Sequence, residues 1–263
     1  MRDTVKKTIC IFSLFYIFLL CVSSLFAQVK IYPETYEVIA PPGEKVKGNI
    51  WVIGTEDKKL KVEIQPEDWS DGRKEGINWL KIKPRKFTLK PKKMKEIKWK
   101  AIVPKTAEGD LVAQIFFTAV TSEKIGRFAI GTRIAQGIYI TVKDTEKVDA
   151  EITDFYIKQR QRDKNYGLAV VFKNKGNVHL TTKGEITLKH LNTGTTEHLE
   201  IKPWFYRSAE SFTLWSWLSK TLLEGDYVAV ATVFYNSPTG NEQKIDSRIE
   251  FSLNDKGVII EKK

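Results

Sequence analysis

Cysteine is nearly missing. The chain has two in 263 residues, Cys10 and Cys21, and both fall within residues 1–27. Nothing after that segment can form a disulfide, so the remaining fold must rest on its apolar core. Histidine is scarce too. His179, His190 and His198 stand at spacings that match no metal-site pattern, and they read as ordinary polar-face residues of strands. G-x-S-x-G, P-loop and H-E-x-x-H motifs are absent. Glu67 and Asp68 are adjacent beside Trp69, and they read as turn chemistry rather than a glycosidase acid and base. These absences point away from hydrolases, nucleotide-dependent enzymes and zinc or redox proteins. We expect no catalytic residue, no metal ligand and no cofactor. Helical periodicity is also lacking, and no apolar run after residue 27 is long enough to cross a membrane.

What is present begins with an export signal. Arg2, Lys6 and Lys7 precede an apolar run over residues 9–22, and small residues lead up to Ala27. That pattern predicts a signal peptide over residues 1–27, cleaved to leave Gln28 first, and an exported protein of the periplasm or cell surface. The remaining 236 residues suit two domains of about 110 residues each. We divide them at a short polar linker, residues 144–147. Residues 28–144 form the first domain, 145–254 the second, and 255–263 a tail.

Formal charge is +11, and about +9 without the signal. Much of the excess lies in residues 81–100, KIKPRKFTLKPKKMKEIKWK. Apolar residues alternate there with lysine, as in strands wetted on one face. A solvated sheet face is the first reading. A patch for an anionic envelope polymer, using Lys92, Lys93 and Lys95, is the second. For an exported chain, nucleic acid is not the expected partner.

Short strand-like segments recur every 8–12 residues with Pro, Gly and Asn turns between them. This predicts an all-β chain of two immunoglobulin-like β-sandwiches in tandem. Residues 127–143, RFAIGTRIAQGIYITVK, organise the whole. Large apolar side chains alternate with small or polar ones, which predicts a long strand closing the first domain. Gly131 and Gly137 are expected to mark bends or bulges. Trp51, Trp69, Trp79 and Trp99 are expected in the core or at its rim.

The layout then resembles a known family. Residues 41–54 (PPGEKVKGNIWVIG), Asp68–Trp69, residues 79–89 (WLKIKPRKFTL), 103–109 (VPKTAEG) and 127–142 carry the likeness in the first half. Residues 172–180 (FKNKGNVHL) and 222–235 (LLEGDYVAVATVFY) carry it in the second. The pattern is similar to bacterial periplasmic chaperone-like proteins, two-domain immunoglobulin-like relatives of pilus chaperones. The resemblance implies a non-enzymatic protein in pilus or envelope assembly. It implies that β-rich envelope or fibre subunits are held by strand addition. In that family an Arg and a Lys hold the subunit's terminal carboxylate. Here Val29 and Ala135 stand at those positions, with Lys30 and Arg133 next to them.

The candidate partner-binding residues are therefore Lys30, Ile130, Arg133, Ile134 and Ile138. The isoleucines are expected as apolar knobs, with part of residues 132–140 exposed on an edge strand. The alternative surface is the lysine group above, or Trp215 and Trp217, which share one face of a strand. Exposed, they would suit a glycan; buried, they would be sandwich core.

Overall fold

The computed structural model describes residues 28–262, apart from 56, 71–76, 122–130, 163–164 and 241. The segment expected to be a signal peptide and Ile130 lie outside the described residues. Every regular element described is a β-strand.

Among the described residues the first sandwich holds nine strands. They are β1 (Val29–Tyr32), β2 (Thr35–Ala40), β3 (Lys45–Gly54), β4 (Leu60–Asp68), β5 (Leu80–Lys83), β6 (Lys86–Leu89), β7 (Met94–Ile102), β8 (Asp110–Thr121) and β9 (Gly131–Val142). One sheet runs β1-β3-β7-β5 and the other β2-β9-β8-β4-β6. The second sandwich continues with β10 (Ala150–Gln159), β11 (Tyr166–Asn174), β12 (Leu180–His190), β13 (Thr196–Tyr206), β14 (Ser211–Trp217), β15 (Gly225–Asn236), β16 (Gln243–Leu253) and β17 (Ile259–Lys262). Its sheets run β10-β11-β14 and β13-β12-β15-β16-β17. No sheet mixes strands from the two halves, and each half has its own core. The chain is thus all-β, with two immunoglobulin-like sandwiches in tandem.

Alternation builds these layers. In β7, Ile97, Trp99 and Ala101 are buried while Lys98, Lys100 and Ile102 face water. β8 reads almost wholly apolar because it is central, with β9 and β4 on its two sides. Trp99 is in the core, edge-on to Tyr36 at 4.8 Å. Trp69 and Trp79 are at the rim, where their indole N–H groups donate to Glu67 and Asp68 at 3.3 and 2.8 Å.

Four expectations are corrected. Glu67 and Asp68 belong to the end of β4, and of the two only Asp68 makes a turn contact, its Oδ1 accepting the Ser70 N–H at 3.0 Å. Residues 259–262, read as part of a tail, add a strand to the edge of β16. β9 runs from Gly131 to Val142 with no register shift against β8, so neither glycine marks a bulge. Gly137 is needed for space, because a Cβ there would lie 2.5 Å from the Tyr139 ring. Finally, two of the three histidines are buried. His190 stacks on Tyr227 at 4.5 Å, and His179 sits between the sandwiches.

Candidate functional site: a half-covered strand edge

The first strand segment of the chain is shared between both sheets of the first sandwich. β1 pairs with β3, and after Pro33 the chain crosses over so that β2 pairs in parallel with β9. β2 is six residues long and reaches only Gly137 to Val142 of its partner. β8 covers the other side of β9 from Gly131 to Thr141. Among the described residues, no strand pairs with the outer edge of residues 131–136. Backbone N–H and C=O groups along such an edge need partners, which makes it a template for another strand.

Side-chain hydrogen bonds cross the seam between the β1 segment and this open half. The Gln28 N–H donates to Thr132 Oγ1 at 3.3 Å, and Gln136 Nε2 donates to the Pro33 carbonyl at 2.7 Å. Gln136 is buried, and its Oε1 has no hydrogen-bond partner. Ile134 is half-buried and packs on the edge of the core. Its side chain points between the sheets, in the same alternation as Ile138 and Ile140. A strand added here would continue the sheet and place alternate side chains beside Ile134.

The covered half of β9 is held differently. Ile138, Ile140 and Val142 have no exposed surface, so Ile138 is core and offers nothing to a partner. Tyr139 points the other way, into the junction between the sandwiches. Its ring meets His179 and Phe205 edge-on, each at 5.2 Å. Burial raises the Tyr139 phenol above its ordinary pKa. Asp110, at the start of β8, anchors the junction. Its Oδ2 accepts the His179 backbone N–H and contacts His179 Nδ1, both at 2.6 Å. Its Oδ1 accepts the Thr141 hydroxyl at 2.7 Å. A carboxylate only accepts, so Nδ1 carries the proton, and Nε2 faces Glu37 at 3.8 Å. Gly109 permits this approach. It has φ +66, and a Cβ there would fall 2.2 Å from the Asn177 carbonyl oxygen. Nothing in the sequence pointed to Asp110 and His179, which lie 69 residues apart.

Lys30 and Arg133 do not converge. Lys30 is exposed between the inward Val29 and Ile31, on the outer face of the β1 sheet. Arg133 lies on the outer face of the opposite sheet, 4.1 Å over the Phe116 ring and 3.7 Å from Glu67. A single carboxylate cannot engage both from opposite faces of a sandwich about 10 Å thick.

The alternative surfaces are also resolved into separate places. Lys92 is in a turn, paired with Asp57 at 2.8 Å; Asp57 raises its pKa. Lys93 follows in the same turn, and Lys95 is exposed near the start of β7. Lys95 shares its parity with Ile97 and Trp99, so the three lysines do not form one strand face. Trp215 and Trp217 lie over Gly167 and Ala169 of β11, stacked at 5.0 Å. Tyr156 meets Trp215 edge-on at 5.8 Å, and Arg160 covers Trp217 at 4.1 Å. Trp217 remains 38% exposed, while Arg160, Trp215 and Tyr156 are its and its neighbour's ring contacts, so the pair is a surface ladder and not sandwich core.

Among the described residues no cluster of metal-ligating side chains exists, and no helix is long and apolar enough to cross a membrane.

No family model and no curated protein matches the chain. Solved structures similar to it include fimbrial chaperones and a PapD-like domain of human CEP192. The class 5 fimbriae chaperone CfaA is 16% identical, with 84% of this chain and 98% of that one covered and a TM-score of 0.47. The YadV chaperone is 10% identical, over 84% and 99%, with a TM-score of 0.47. The SafB chaperone of Salmonella enterica, solved in complex with the SafA pilin, is 10% identical over 86% and 98%, with a TM-score of 0.45. At these values the likeness carries no argument about the site, which stands on its own geometry.

Proposed function

We propose that this is an exported, non-enzymatic, chaperone-like protein that holds β-rich envelope or fibre subunits by taking an extended segment of the client onto the open half of β9. One observation carries this reading. Residues 131–136 have a paired inner edge, an unpaired outer edge and a half-buried isoleucine beside the core. Main-chain hydrogen bonds along such an edge supply affinity, and side chains entering the seam supply selectivity. The contact residues proposed are Ile134 and the backbone around it. Arg133 sets charge on one outer face, and Lys30 flanks the seam from the other.

The test is Ile134→Asp, with capture of envelope proteins and amide exchange as readouts. The variant is expected to fold and to lose its client. In the unaltered protein, client should slow exchange of alternate amides in residues 131–136. A folded variant that captures client as well as the unaltered protein would sink strand addition at this edge.

A further inference from the structure

The outer face of the sheet β1-β3-β7-β5 is a field of lysines with apolar residues at both ends. Val46, Ile50, Ile97, Trp99 and Ala101 point into the core, so alternation turns their neighbours outward. The register sets those neighbours in rows. Lys47, Lys100 and Lys81 form one row, and Asn49, Lys98 and Lys83 the next. Lys45 stands beside Ile102 at one end of these rows. At the other end come Tyr32, Trp51 and Glu96, then Lys30, Ile53 and Met94. All seven lysines are exposed. The rows contain a single acid, Glu96, which is 4.0 Å from Lys98. Among the described residues the other six lysines make no ion pair.

Like charges facing each other across strands repel. The second sandwich avoids this. On its outer face Lys183 meets Glu242 at 2.7 Å, Lys244 meets Asp246 at 2.9 Å, and Arg248 meets Glu250. Among the described residues, only Glu96 supplies counter-charge to the lysine field, so an anionic partner would meet it largely unpaired. An open cavity of about 950 Å³ is lined by five of these lysines and Asn49, and also by Tyr36, Gly48 and Trp99 from the inner side of the sheet. The apolar residues decide the kind of partner. Tyr32, Met94 and Ile102 are 66%, 64% and 50% exposed, on the same face and at the ends of the lysine rows. A soluble polyanion gains nothing from them. A bilayer interface takes both, with headgroup charge against lysine and apolar groups at the acyl boundary.

We propose that this face docks flat on an anionic lipid surface. The face includes Lys30 and Tyr32 of β1, which borders the seam, but the open edge belongs to β9 in the opposite sheet, so the proposal does not depend on the strand-addition reading. The experiment uses the chain from Gln28 onward, which contains every described strand. It is sedimented with vesicles of phosphatidylcholine, with and without one-third phosphatidylglycerol. Binding is expected only to the anionic vesicles, and it should weaken as salt rises. Lys47→Gln, Lys81→Gln and Lys100→Gln together should lower partitioning roughly a hundredfold, because each lysine near such a surface contributes a factor of about five. Tyr32→Ser with Met94→Ser should lower it several-fold while leaving long-chain polyphosphate binding unchanged. All five side chains are exposed, so melting temperatures should stay close to that of the unaltered chain. Equal binding to neutral vesicles overturns the proposal, as does an unaffected triple lysine variant. Tight binding to polyphosphate with none to vesicles assigns the face to a soluble polyanion and overturns it as well.

Discussion

The two halves of β9 share one strand, one partner on their inner side and one alternating pattern, yet they differ in what holds them. Residues 137–142 are paired by β8 and β2, and their odd side chains are sealed against the second sandwich. Among the described residues, β8 alone pairs with residues 131–136, and Gln28 and Pro33 meet them through side-chain hydrogen bonds. Isoleucine at position 138 is therefore structural, and isoleucine at position 134 is half-buried at the boundary of the core. Identical residue types four positions apart acquire different roles from the length of β2.

The comparison breaks most sharply at Ile138→Asp. A charge at a fully buried site without a partner should cost more than about 4 kcal/mol. Denaturant unfolding should show the first sandwich already unfolded. Asp110→Ala comes next. It leaves the His179 N–H, the His179 ring and the Thr141 hydroxyl without their acceptor, at a cost of about 3 kcal/mol. A single unfolding transition is expected to split in two as the junction weakens. Ile134→Asp should cost only about 1–2 kcal/mol, because the side chain has water to reach. A penalty equal to that of Ile138→Asp would abolish the distinction between the halves. The smallest effect is expected at the turn before β7. Lys92→Gln removes an exposed ion pair with Asp57, and thermal melting should not register it.

The lysine-rich stretch gives a similar lesson about reach. Residues 81–100 were visible as a basic run. Which of those lysines act together depended on β3 lying against β7, which brings in Lys47 from a distant segment and leaves Lys92 and Lys93 in a turn. The paired histidine and aspartate of the junction were illegible for the same reason. A strand's own alternation says nothing about which strand will lie across from it.

Composition and period alone determined that this chain is all-β, that its core forms without disulfides, and that residues 131–142 form a strand with two unlike faces. These are local properties, set by side-chain size and by the two-residue repeat of an extended backbone. Tertiary structure alone decided that β2 covers β9 no further than Gly137, that Lys30 and Arg133 lie on opposite faces, and that Asp110 meets His179. Each depends on register between segments far apart in the chain. Register is chosen by the packing of whole sheets, because shifting it by one residue would turn every buried side chain outward.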